Sequence, residues 1–191
     1  MNSKKTKKEW LKDNYEYQLK ETRYLDNNMQ RLLKAANEDE LLGLFRQIAL
    51  WKEDRVVRIK SAKKINNKLK EITNIKSRKS IKNKKECIKS TVVQLMKCNG
   101  VGLPMASTIL RFANPNIFPI CDIRATRYLN MNDEFNKVLR NRDNLDDAAE
   151  FYLKYIEKCY IKYNKINDGS LKFKDFDRFA YQKDKEKKWQ E

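Results

Sequence analysis

Asp122, which closes the run Asn114-Pro115-Asn116-Ile117-Phe118-Pro119-Ile120-Cys121-Asp122, is the residue whose type and setting most invite chemistry. The 191 residues contain no histidine, which removes Ser-His-Asp, Cys-His and His-metal chemistry together. Any catalysis must then run on carboxylate, lysine, tyrosine, cysteine or bound water. Cys87, Cys98, Cys121 and Cys159 follow neither a zinc nor an iron–sulfur spacing and read as reduced, packed thiols, with no metal site among them. The search narrows to carboxylates. Asp122 precedes Ile123-Arg124-Ala125 at a predicted helix start, where backbone amides and the helix dipole favour a fixed negative charge. An ordinary helix cap occupies the same position and needs no substrate. Asp146, Asp147 and Glu150 complement the first turn of a later helix and are assigned to structure. Asp175, Asp177 and Arg178, set among phenylalanines, are read as reaching across a cleft toward Asp122.

Upstream, the stretch Leu95-Met96-Lys97-Cys98-Asn99-Gly100-Val101-Gly102-Leu103-Pro104-Met105-Ala106 holds two of the four glycines. Glycine tolerates positive φ and a close-approaching chain, so Gly100, Val101 and Gly102 predict a tight hairpin between two helices. Pro104 suits an early position of the second helix. The hairpin amides and that helix start would face an anion such as a phosphate, with Lys97 and Asn99 beside them. Ala106 lets the helices approach, and Leu95, Ile109 and Leu110 form their apolar seam. A plain helix-turn-helix corner would use the same glycines, so the motif alone does not separate the two readings.

The elements that must position these residues are helical. Glycine and proline together number seven, and no run alternates apolar and polar residues, so the chain reads as all-α. Leu11, Tyr15, Leu19, Thr22, Leu25, Met29 and Leu32 mark a first amphipathic helix. Asn37 with Glu40 resembles a cap before Leu41, Leu44, Phe45, Ile48 and Ala49. A late helix runs from Leu145 to Tyr163 with Ala149, Tyr152, Tyr155, Ile156, Cys159 and Tyr163 on one side, and ends at Asn167-Asp168-Gly169. A last segment carries Leu171, Phe173, Phe176 and Phe179, and 183–191 is expected to be a charged, frayed tail.

The chain is too aromatic, at 10%, for a disordered polyelectrolyte, yet its net charge is +17. Lys52 to Lys97 holds 16 Lys or Arg against 4 Asp or Glu, about +12 of that total. Such a concentrated basic segment calls for a polyanion, with DNA or RNA ahead of an anionic membrane because no segment adds a large apolar face. A solvated, lysine-rich surface is the plainer account. No apolar run is long enough for a transmembrane span or a secretory leader, so an intracellular protein is expected.

The 35 residues from Leu95 to Leu129 resemble the helix-hairpin-helix and catalytic-aspartate signature of the base-excision DNA glycosylases. That superfamily includes endonuclease-three-like, adenine-mismatch and 8-oxoguanine glycosylases. The hairpin Gly100-Val101-Gly102, the following helix with Ala106, the Phe118-Pro119 loop and Asp122 all fall in the family's register. The departures matter as much. Bifunctional members carry a nucleophilic lysine where this chain has Pro104, and the cysteine cluster of the iron–sulfur branches is missing. The resemblance therefore implies a compact monofunctional glycosylase without lyase activity.

On that resemblance the fold is expected to be a two-lobed helical glycosylase-like unit. Residues 80–130 would form the hairpin and aspartate lobe, and 9–79 with 145–182 the second lobe. Asp122 would stabilise positive charge on the deoxyribose and orient water as the N-glycosidic bond breaks. A base inside a duplex must first be extruded into a pocket, for which Trp51, Tyr128 and Phe179 are the expected walls. Lys52, Arg55, Lys97, Asn99, Gly100, Val101, Gly102, Arg124 and Arg127 are the expected DNA contacts, although the two helical arginines suit surface carboxylates equally well. No cofactor is required, though the resemblance leaves room for a monovalent cation at the hairpin. The expected setting is a monomer on duplex DNA in the cytoplasm, associated with the nucleoid. The competing readings are a non-catalytic helix-hairpin-helix module in which Asp122 only caps a helix, and an RNA-binding protein.

Overall fold

The structure, a computed structural model, describes residues 22–29, 31, 33, 38–53, 63–141 and 143–188. Every regular element among them is helical, and none is a strand. In chain order they are α1 (residues 22–29), α2 (Glu38–Glu53), α3 (Lys63–Thr73), α4 (Arg78–Lys82) and α5 (Lys85–Met96). Then follow α6 (Leu103–Ala113), α7 (Ile123–Tyr128), α8 (Asn132–Arg140), α9 (Leu145–Ile166), a 3-10 turn (Phe173–Asp175) and α10 (Phe176–Lys188). No helix among the described residues is long and apolar enough to cross a membrane.

Helix α6 is the hub because its sequence is apolar nearly all round, and Met105 through Ala113 are buried without a break. It touches α2, α3, α5 and α9. Leu95, Ala106, Ile109 and Leu110 are fully buried along the α5–α6 seam, as the spacing predicts. The predicted α2 stripe of Leu41, Leu44, Phe45, Ile48 and Ala49 is buried as well. In α1, Thr22, Leu25 and Met29 face the core, whereas Leu11, Tyr15, Leu19, Leu32 and the Asn37 cap lie outside the described residues. Asn114 ties the ends of two helices together, its amide donating to the carbonyls of Ile72 and Ile75 at 3.1 and 2.9 Å.

Helix α9 starts where the acidic turn predicts, with Asn144 accepting from the Asp147 amide at 3.1 Å. It ends at Asn167, two residues before Gly169 with its φ of +91°. The expected frayed tail is corrected over residues 183–188, while 189–191 lie outside the described residues. Helix α10 runs on to Lys188 with Gln182 and Asp184 buried, because α10 packs along α7 and brings Asp184 against Arg124 and Arg127.

Candidate active site

The loop that delivers Asp122 is held at successive backbone groups. From α9, the Tyr152 hydroxyl donates to the Pro119 carbonyl at 3.0 Å, and the Tyr155 hydroxyl to the Ile120 carbonyl at 2.6 Å. From α10, Asp177 accepts the Ile120 amide at 3.0 Å, and from α6 the Ser107 hydroxyl accepts the Cys121 amide at 2.9 Å. Burial pushes both tyrosines well above the ordinary phenol value, so they remain donors. A side chain at the end of so constrained a loop is preorganised. Burial likewise drives the Cys121 and Cys159 thiols well up, which leaves them as packing groups without thiolate reactivity.

Asp122 uses its two carboxylate oxygens for different tasks. Oδ1 caps α7, accepting from the amides of Arg124 and Ala125, both at 2.9 Å. Oδ2 receives Lys52 Nζ at 3.3 Å, in a pair whose side chains keep 16% and 18% of their accessible surface. The cap reading is therefore correct and incomplete, since it consumes a single oxygen. Both partners line a cavity of about 140 Å³ together with Trp51, Ile120, Asp177, Arg178 and Tyr181. Its walls come from α2, the loop into α7, and α10. Trp51 is fixed edge-on against Phe112, with ring centroids 5.3 Å apart. The Arg124 guanidinium lies over the Tyr181 ring at 5.0 Å.

Asp177, 4% exposed, reaches this cavity as its place among the phenylalanines suggested. Burial pushes its carboxyl above the ordinary range against the pull of Arg111, Arg178 and the Ile120 and Arg178 amides. A carboxyl raised in the folded state contributes stability below the ordinary carboxylate range, and that contribution is lost as pH rises through the folded value. Asp177→Asn removes this dependence. The melting temperature of the variant minus that of the parent chain should climb between about pH 4 and about pH 7. A difference that stays flat or falls across that range would show that Asp177 carries no such titration.

The remaining expected contacts divide. Gly100 takes a φ of +82°, which demands glycine, while Gly102 is the N-cap of α6 at φ −88° and ψ 178°. A Cβ at Gly102 would meet nothing nearer than Pro104 Cδ at 3.7 Å, so the fold itself does not require glycine there. Val101 is buried beneath the turn, and Lys97, Asn99, Gly100 and Gly102 are exposed. Pro104 stands in the first turn of α6, and no side chain caps that helix. A hollow of about 450 Å³ lies between this hairpin and Val138, Leu139 and Leu145. Lys76, Lys79, Lys82, Lys84 and Lys85 of the basic segment are exposed, ahead of and at the start of α5.

Five residues meet partners other than those expected. Lys52 does not stand free for a phosphate, because the end of α2 turns it onto Asp122. Tyr128 and Phe179 are not among the residues lining the cavity; they pack edge-to-face at 6.1 Å where α10 lies on α7. Arg127 and Arg124 meet Asp184 at 2.8 and 3.9 Å, the carboxylate alternative of the two considered for them. Arg55 lies outside the described residues. Sequence reasoning missed the Lys52 contact, Tyr181 and the two loop-holding tyrosines, which read only as one apolar side of α9. Among the described residues, no three His, Cys, Asp or Glu side chains gather as a metal group. No family model, curated protein or solved structure matches the chain.

Proposed function

We propose that the chain is a DNA glycosylase that extrudes an altered base from a duplex and hydrolyses its N-glycosidic bond with the help of Asp122. The observation that carries this reading is the division of labour at Asp122, whose Oδ1 is committed to the helix and Oδ2 to Lys52, both residues lining a cavity with Trp51 and Tyr181. A fixed carboxylate beside the sugar offsets the positive charge that grows as the base departs. Trp51 and Tyr181 offer aromatic faces to a base taken out of its stack. The hairpin supports the same reading. Gly102 is bare although the fold would accept a Cβ, and the start of α6 carries no side-chain cap with Lys97 exposed before it, so a sugar-phosphate strand can approach the backbone closely. The two-lobed glycosylase fold belongs to this proposal too, supported by a cavity whose walls come from early, middle and late parts of the chain.

The cavity also bears on the substrate. About 150 Å³ is enough to house a benzene ring, so the 140 Å³ here suits a single-ring base better than a two-ring purine. Duplexes each carrying one altered or mismatched base are incubated with the protein, and abasic sites are revealed by cleavage in hot alkali. Release of altered pyrimidines ahead of altered purines is the expected result. Duplex binding with no release from any substrate would favour the non-catalytic module, and preference for structured RNA would favour the RNA-binding alternative.

A further inference from the structure

Breaking the bond between C1′ of a deoxyribose and N1 of a pyrimidine separates two charges. The sugar becomes positive, and the departing base takes the bonding pair and spreads negative charge from N1 onto its O2 carbonyl. Asp122 answers only the first of these. Beside it, Lys52 Nζ stands 3.3 Å from Oδ2, and both residues line the cavity. Atoms joined by a single bond in the substrate thus face groups of opposite charge joined by a hydrogen bond in the protein. An ammonium has three hydrogens to donate, and among the described residues Asp122 Oδ2 is the hydrogen-bond acceptor of Lys52. The remaining N–H bonds can take up an incoming carbonyl. Of the other charged groups lining the cavity, Asp177 is committed to the Ile120 and Arg178 amides, and Arg178 turns Nη2 to Asp175 with Nε and Nη1 sealed from solvent. Lys52 is left as the cation beside the carboxylate. We infer that Lys52 is a second catalytic residue, an electrophile that contacts O2 of the extruded pyrimidine and stabilises the base as an anion while it leaves. The inference rests on the proposed function and adds to it a partner for the leaving group and a substrate class, the 2-oxopyrimidines.

The step balances with water alone. The C1′–N1 bond breaks and its electron pair goes to N1. The oxygen of water bonds C1′, and the proton that water loses is returned through solvent to the pyrimidine anion, giving a sugar hydroxyl and a neutral base. Neither Lys52 nor Asp122 changes its protonation state. Their part is electrostatic: in the free protein the two charges hold each other, and in the transition state each meets an opposite charge that grows as the bond breaks. A pair already oriented for that separation needs little reorganisation when it occurs. A cation at the base contributes most where the leaving anion is least stable, so Lys52 matters more for a weakly acidic pyrimidine than for a strongly acidic one. An unmodified purine departs through N9 with no carbonyl beside that nitrogen, and the same contact does not serve it.

The test is the dependence of rate on the leaving group. Single-turnover release by the full chain is measured from duplexes carrying thymine, uracil or 5-fluorouracil opposite guanine, bases of similar shape whose N1–H acidity rises in that order. Lys52→Met should slow release of thymine by about 10²-fold and of 5-fluorouracil by about 10-fold or less, so the ratio of the thymine rate to the 5-fluorouracil rate falls. Because both rates come from one preparation, that ratio is independent of any loss of folded protein. Lys52→Arg retains the cation and should keep the ratio close to that of the parent chain. A lysine that only positioned Asp122 would slow all three bases alike. An unchanged ratio in Lys52→Met therefore overturns the inference, as does a ratio in Lys52→Arg that falls as far as in Lys52→Met. The outcomes also separate the two claims. If the parent chain releases none of the three pyrimidines, the inference is overturned; release of some other base then leaves the glycosylase reading standing alone, and release of none removes both.

Discussion

Asp122→Asn should lower base release by about 10²–10³-fold while leaving the fold and duplex binding in place. Asparagine caps helices about as well as aspartate, so its side-chain oxygen can keep the Arg124 and Ala125 amides that Oδ1 holds at 2.9 Å. The loop behind it is fixed by Tyr152, Tyr155, Ser107 and Asp177, none of which the substitution touches. What disappears is the negative charge at Oδ2. Loss of one preorganised electrostatic group costs roughly 2.7–4 kcal/mol of transition-state stabilisation in comparable active sites, which is the stated range in rate. Lys52 loses its partner but keeps some contact with solvent, so the fold should bear the change. Single-turnover base release and a circular dichroism melt on the same preparation check both halves. Unchanged release would reduce Asp122 to a cap, and a collapsed melt would show that the charge, beyond the cap, holds the loop.

The parts of this site legible in the sequence are those fixed by local backbone chemistry. Gly100 does take a positive φ, Pro104 does fall in the first turn of α6, and Asp122 does cap α7, because each follows from its immediate neighbours. Periodicity also found the buried stripes of α2 and α9. It could not say which face meets which. Lys52 lies 70 positions before the carboxylate it contacts, and its basic surroundings made a phosphate partner the natural reading. Tyr128 and Phe179 are aromatic in the right region, yet their rings fill the seam where α10 rests on α7. Tyr152 and Tyr155 share a side of α9 with alanine and isoleucine and so read as packing, while their hydroxyls turn out to hold the loop that carries Asp122. Gly102 shows the opposite error. Its glycine looked like a requirement of the turn, and the backbone there is ordinary.

Arg111→Met should be the most damaging single change to stability, at about 3–5 kcal/mol, the usual consequence of removing one member of a buried ion pair. Arg111 is 2% exposed in the middle of the core; its guanidinium bonds Asp26 and also donates to the Lys174 carbonyl at 3.4 Å. Burial already raises the Asp26 carboxyl, with Arg111 as the chief opposing pull. Without Arg111 that carboxyl stays part-buried with only the weaker pull of Lys174 and Arg178, and it must either take up a proton or open the α1 contact. Replacing both partners, Asp26→Leu with Arg111→Met, removes the stranded charge and should recover most of the loss. Chemical denaturation of the two variants measures this. A loss below about 1 kcal/mol in the single variant, or a double variant no better than the single, would contradict the pairing. Function should not return with stability. The Lys174 carbonyl belongs to the 3-10 turn that leads into α10, and α10 carries Asp177, Arg178 and Tyr181 into the cavity. The double variant restores the buried balance but leaves that carbonyl without its guanidinium donor. It should therefore fold well and release bases more slowly than the parent chain, which connects a charge in the core to the geometry of the cavity wall.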